Sequence, residues 1–414
     1  MIRIIFFVAL LLDAAPLVAD DFPQFRGPSG DGLTNLKNVP LHWKDNSDNI
    51  AWQTEIPGLG WSSPVVVDNE IWLTAGVESD ATLRAICLDL DSGKITKNVV
   101  VFDKEKFGSI HAKNSHASPT PLIDGDLIFV DFGDYGTACL TRTGEVKWRR
   151  EFVVGHLHGP GGSPALFKDR IFLNRDGTDE QYIIALNKQT GETIWQTKRK
   201  HTHPDRLNRK KNVPIAYSTP VVHNINGRDQ VLSASADHLA GYDCQTGEEL
   251  WWSEYDGYSV VPKPLVGKNM VFFSSCYNSP VLYGVKLGGA GDVTKTHVAW
   301  SLDKKAPHNP SPLLVGDELY FVSDDGVAHC LNAETGEVYW KERIGPAYSA
   351  SPFLVGDRIY FQDEKGGTVI IKAGKEFEKL AENQIEGRTL ATPTPIEGGL
   401  LIRTDTKIMR INAE

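Results

Sequence analysis

The chain has 414 residues, 53 acidic against 43 basic side chains, and a formal net charge of −10. A balance this acidic does not suit a nucleic-acid binder, and five cysteines without a pairing pattern do not suggest a disulfide framework. At this length a core can be held by packing alone.

Residues 1–19 start basic at Arg3, continue through a short apolar stretch and end on Ala19, which reads as a secretory leader. Export to the periplasm or the medium is expected, and no other segment approaches the length of a membrane span. Residues 20–39 read as an N-terminal extension. Next, Ile50 to Ile56, with Trp52, has the composition of a strand. From there a small residue followed by proline and an apolar run recurs eight times, at Ser63-Pro64, Ser118-Pro119, Ser163-Pro164, Thr219-Pro220, Lys263-Pro264 (lysine replacing the small residue), Ser311-Pro312, Ser351-Pro352 and Thr392-Pro393. Each run is followed by a Gly/Asp turn and a second apolar run, and proline at the first residue of a strand removes no central ladder bond.

A second phrase, Thr-Gly-Glu-x-x-Trp, is centred on Gly144, Gly191, Gly247 and Gly336, with Trp148, Trp195, Trp251 and Trp340. The glycines fall 47, 56 and 89 residues apart, and 89 is close to twice 45, so a degenerate copy carrying Trp300 belongs between Gly247 and Gly336. Periods of this size with strand grammar mean propeller blades. Lys97 stands at the tryptophan position of the first repeat, and a residue between Phe377 and Ile385 takes it in the seventh. The eighth repeat ends after Ile408 to Ile411 without an outer strand, which Ile50 to Ile56 can supply. The expected fold is therefore all-β: one eight-bladed β-propeller of four-stranded antiparallel blades over residues 40–414, its ring closed by an N-terminal strand that completes the last blade and removes a free edge. The glycines serve tight turns, the tryptophans wedge against the next blade, and Cys87, Cys139 and Cys330 are small core residues.

Chemistry is confined to the connections that enter each blade, since these reach one rim of the channel. Seven of the twelve histidines fall in four of them: His111, His116, His156, His158, His201, His203 and His308. Trp61, His111, Asn114, His116, His156, His158, Tyr217 and Tyr348 are the candidate ligand-binding residues, with the four histidines from His111 to His158 expected to converge on one ligand. No carboxylate obviously joins them in the sequence, so no metal site is assigned. Asp131/Asp134, Asp176/Asp179 and Asp324/Asp325 lack calcium-loop spacing and read as turns. The run from Lys198 to Lys211 reads as a basic solvated connection. There is no nucleophile elbow, phosphate loop or paired-histidine protease motif, so no catalytic residue is assigned.

The Ser/Thr-Pro strand followed by Thr-Gly-Glu-x-x-Trp resembles the quinoprotein-type, or PQQ-like, β-propeller repeat, and the stretches Phe22-Pro-Gln-Phe25-Arg26-Gly27, Gly60-Trp61-Ser-Ser-Pro64 and Asn114 to Pro121 resemble its exported PQQ-binding-like branch. The resemblance covers nearly all of residues 20–414. It implies either a quinone-dependent dehydrogenase or a non-catalytic propeller like the outer-membrane assembly lipoprotein. The dehydrogenases carry an adjacent cysteine pair and a calcium site, and no Cys-Cys pair occurs here, so PQQ is not supported by residue motifs; the lipid-anchoring cysteine of the assembly branch is also missing. The expectation is a scaffold that binds a protein, peptide or envelope polymer through its rim. The alternative is a PQQ- or metal-dependent oxidoreductase using the histidine-rich mouth.

Overall fold

The computed structural model describes residues 21–200, 214–277 and 279–413. The expected leader and the part of the basic connection from His201 onward lie outside them. The strands form eight sheets, each with a four-stranded antiparallel set from the channel outward, and two of them carry a fifth, parallel strand. Blade 1, for example, runs Val65–Val67, Glu70–Val77, Thr82–Asp89 and Ile95–Asp103. Blade 8 takes three strands from the end of the chain, Thr394–Ile396, Gly399–Arg403 and Lys407–Asn412. Its fourth is Ile50–Glu55, antiparallel to Lys407–Asn412 with Trp52 opposite Arg410. The ring is closed as expected.

The second and third strands of each blade are buried along almost their whole length, because both faces pack on neighbouring blades. Only the outer strands alternate, as in Thr193–Lys198. The repeated tryptophan explains the seam. Trp148 lies across Gly191 of the next blade and donates its indole N–H to Lys188 O at 3.1 Å; Trp195 does the same over Gly247 with Cys244 O at 3.1 Å. Trp52 and Trp300 repeat the arrangement over Gly93 and Gly336. All five cysteines are buried and free. Cys139 and Cys330 lie directly opposite Trp148 and Trp340 in their blades.

Blade 5 holds the degenerate copy. Its third and fourth strands, Leu282–Lys286 and Val298–Leu302 with Trp300, are joined by a glycine-rich excursion instead of the tight turn. Within it, Gly291–Asp292 adds a parallel strand to Trp251–Trp252 of blade 4. With no turn to dock on, Trp251 donates instead to Gln230 Oε1 of its own blade at 2.9 Å.

Two sequence readings need correction. In blade 2 the first strand is Leu122–Asp124, following Pro121 and not Pro119. The tandem Ser118-Pro119-Thr120-Pro121 contains two copies of the phrase, and Thr120 takes the strand-entry position while Ser118 bonds Asn114 within the loop. In the basic run, Arg199 is no solvated loop residue: its side chain is fully buried against Asp176.

The N-terminal extension has a defined path across one end of the channel. Phe22 bridges Val66 of blade 1, Pro23 O accepts from Ile123 of blade 2, and Leu33–Thr34 pairs in parallel with Leu354–Val355 of blade 7. Between them Arg26, almost fully buried, donates to Ser311 O and Pro312 O of blade 6, and Lys263 Nζ of blade 5 donates to Gly30 O at 2.7 Å.

Candidate functional site

The channel is stopped at that end and opens as a cavity of about 390 Å³ at the other, where the blade-entry connections lie. Phe25 of the crossing segment lines it, together with Trp61, His111, Asn114, His158 and Tyr217. Its wall is the strand-entry positions. Ser63 N donates to Thr120 Oγ1, Thr120 N to Ser163 Oγ, and Ser163 N to Thr219 Oγ1. The pattern resumes from Lys263 N to Ser311 Oγ, Ser311 N to Ser351 Oγ and Ser351 N to Thr392 Oγ1, each at 3.0 Å. The proline that follows keeps each residue extended at the mouth of its strand, so its hydroxyl reaches the adjacent blade. This hydroxyl belt, not a histidine cluster, unites the cavity. The recurring Ser/Thr before proline was its visible trace in the sequence.

The four histidines separate into two pairs. His111 and His158 face each other with ring centroids 5.4 Å apart, and burial together with the nearby His111 holds His158 below the ordinary imidazole value. Asn114 ties that corner, donating to His158 O at 2.7 Å and Pro160 O at 3.0 Å. His116 and His156 stand apart around Tyr135, and carboxylates do join them: His156 Nδ1 lies 2.6 Å from Asp134 and His116 Nε2 lies 3.3 Å from Glu78. Tyr348 is buried, its hydroxyl on Ile344 O, and does not line the cavity.

The second pair gives a pH prediction. The bond to Asp134 raises His156, while burial lowers His116. For His156 the folded value lies above the unfolded value of about 6.5, so its contribution to stability is present below that pH and is lost as pH rises through the raised folded value. In a proton NMR titration His156 should show a midpoint above, and His116 one below, the ordinary imidazole value. Asp134→Asn should bring His156 down; an unmoved midpoint would remove Asp134 as the cause.

Among the described residues no group of three His, Cys, Asp or Glu is placed to hold a metal ion. The acidic residue on the cavity wall is Asp324. It is already used: Oδ1 accepts from the His308 and Asn309 backbone at 2.8 and 3.0 Å, and Oδ2 accepts from the Asn309 amide. A quinone cofactor held through a divalent cation therefore does not fit the donors present.

The family model for the outer membrane protein assembly factor BamB, built on PQQ-like repeats, matches residues 96–341 and again 289–376, together more than half of the chain. The chain belongs to this PQQ-like propeller family. Among curated proteins, similarity extends to the methanol dehydrogenase (cytochrome c) subunit 1 of Paracoccus denitrificans, 28% identical over 159 residues, covering 34% of this chain and 22% of that one. It extends also to BamB of Burkholderia pseudomallei, 26% identical over 104 residues, covering 25% of this chain and 27% of that one. The matches thus span about a quarter of those relatives' lengths. The crystal structure of BamB from Moraxella catarrhalis superposes with a TM-score of 0.61 at 16% identity, covering 88% of this chain and 99% of that chain, which is likeness of fold. No helix among the described residues is long and apolar enough to cross a membrane.

Proposed function

We propose that this PQQ-like propeller is an exported, non-catalytic scaffold that binds a protein, peptide or envelope polymer through the rim around its open mouth. The observation that carries the reading is the surface of that rim: Val153 is 95% exposed, and Leu157 and Tyr277 are 46% and 54% exposed. Val153 and Leu157 lie on the connection that enters blade 3 and Tyr277 on the cavity lining, and exposed large apolar side chains on this face suit contact with a partner. Trp61, buried on the cavity lining, has the Arg388 guanidinium 5.6 Å from its ring. A role of the kind named by "outer membrane protein assembly factor" accords with this surface. The oxidoreductase reading lacks such support, because the wall's acidic residue is engaged internally.

The test places a photo-crosslinking amino acid at Val153 or Leu157 in cells, with Asn226, in a strand-to-strand turn on the opposite face, as control. A discrete adduct with an envelope component is expected from the rim positions and none from Asn226. Equal adducts from both faces would sink the reading, as would dye reduction by the purified protein that depends on PQQ and calcium.

A further inference from the structure

The wall of the cavity carries more hydrogen-bond donors than the protein uses. In six seams the hydroxyl oxygen of Thr120, Ser163, Thr219, Ser311, Ser351 or Thr392 accepts a backbone N–H from the preceding blade. Each hydroxyl also has one proton to donate, and among the described residues none of the six has a protein acceptor for it. Ser63 completes the series with a hydroxyl that has no hydrogen-bond partner among the described residues. All seven residues line the cavity and are at most 7% exposed. The indole N–H of Trp61, also on the lining, is buried without an acceptor.

The lining itself carries Lys113 and Asp324, the latter already bonded to His308 and Asn309, and behind the belt stand three buried basic side chains. Lys263 holds the eighth strand-entry position, with its ammonium on Gly30 O. Among the described residues Arg26 donates only to carbonyl oxygens, those of Asp31, Ser311 and Pro312. Arg403 donates to Ser62 O, Ser62 Oγ and Thr74 O, where Ser62 directly precedes the belt residue Ser63. All three are basic side chains at least nine-tenths buried and bonded to neutral oxygens, and burial pulls Arg26 down to about 10, Arg403 to about 9 and Lys263 to about 7. Asp31 is the carboxylate whose field reaches Arg26 and Lys263. A buried cation without a close counter-ion is costly, and an acceptor-only anion in the cavity would offset that cost while using the idle O–H groups.

We infer that the hydroxyl belt is a metal-free carboxylate site: an acid group enters the cavity above Phe25 and accepts O–H donors from the Ser/Thr belt, with Arg26, Lys263 and Arg403 supplying positive potential. Charge-assisted bonds of this type are the stronger class. The ligand is a small organic acid or the C-terminal carboxylate of a peptide, which share this chemistry. The inference stands apart from the rim surface and does not need it.

The test is calorimetry on the whole protein in buffer containing a chelator, with three probes: succinate, an N-acetylated alanine tripeptide with a free C-terminal carboxylate, and the same tripeptide as its amide. At least one acid should bind, and which one does identifies the source. The amide should bind at least tenfold more weakly than the tripeptide acid if that is the ligand, a difference of about 1.4 kcal/mol. Ser63→Ala should weaken the bound acid several-fold without moving the thermal midpoint, because that hydroxyl bonds nothing among the described residues. Thr120→Val should weaken it further, and Ser63→Ala stands alone if Thr120→Val fails to fold. No binding of either acid at millimolar concentration, equal binding of acid and amide, unchanged affinity in Ser63→Ala, or binding that requires added calcium would each overturn the assignment. Rim crosslinking would be unaffected by any of these, so the two readings fail separately.

Discussion

Asp176→Ala is expected to destabilise the protein by about 3–5 kcal/mol, the range for breaking one side of a buried ion pair. Arg199 Nε and Nη2 meet the two carboxylate oxygens of Asp176 at 2.9 and 3.0 Å, and neither side chain has any solvent exposure. The same guanidinium donates to Asn174 Oδ1 in blade 3 and to Ser233 Oγ and Tyr242 Oη in blade 4 at 2.9, 2.8 and 3.2 Å. The pair therefore fastens the seam between two blades. Arginine cannot discharge itself by losing a proton, so without Asp176 the seam retains an uncompensated cation. Removing that cation as well should recover much of the loss: in Asp176→Ala/Arg199→Met the cost should fall well below the sum of the single substitutions. Guanidinium unfolding of the two single variants and the double variant measures this directly. Single costs below about 1 kcal/mol that simply add would show that the pair does not hold the seam.

That pair also shows where the sequence was silent. Arg199 sits in a run of basic residues whose composition suggests a solvated connection, and only the fold places it against Asp176. The architecture was legible because it is written eight times: a tryptophan position, a turn glycine and a Ser/Thr-Pro can each decay in one repeat and still be read from the others, as Trp300 shows in blade 5. The last blade could be completed from Trp52 because its spacing matched Trp195. The crossing segment is written once and makes contacts at very long range, Arg26 with Ser311 and Pro312 across 285 and 286 residues, so no periodicity could reveal it. The cavity was half legible. Of the candidate residues Trp61, His111, Asn114, His158 and Tyr217 line the cavity, while His116, His156 and Tyr348 do not; histidines stand out by their chemistry, whereas the unifying element is the Ser/Thr before proline, which looks like fold grammar. The carboxylates Glu78 and Asp134 belong to strand connections distant in sequence from His116 and His156 or lie on another blade's turn, and proximity in space alone joins them.

Trp195→Ala is the second large effect, expected at about 3–5 kcal/mol as for other buried tryptophan truncations. The ring is 8% exposed, packs on Phe172 at 5.7 Å between centroids, and donates across the seam to Cys244 O. What makes this site informative is its partner. Gly247 has φ +75°, and a Cβ added there would lie 2.6 Å from the Trp195 ring. Gly247→Ala should therefore be costly for two reasons, the left-handed backbone and the collision with the indole. Only the second depends on Trp195. In the double variant Trp195→Ala/Gly247→Ala the collision disappears and the new methyl enters space the indole has left, so the combined cost should be less than the sum, with the backbone penalty remaining. Urea unfolding of the three variants separates the two causes. Strict additivity would mean that the turn alone demands glycine at 247; a clear shortfall would mean that the tryptophan of one blade selects the glycine of the next, and that the two halves of the repeated phrase act on each other only across the seam.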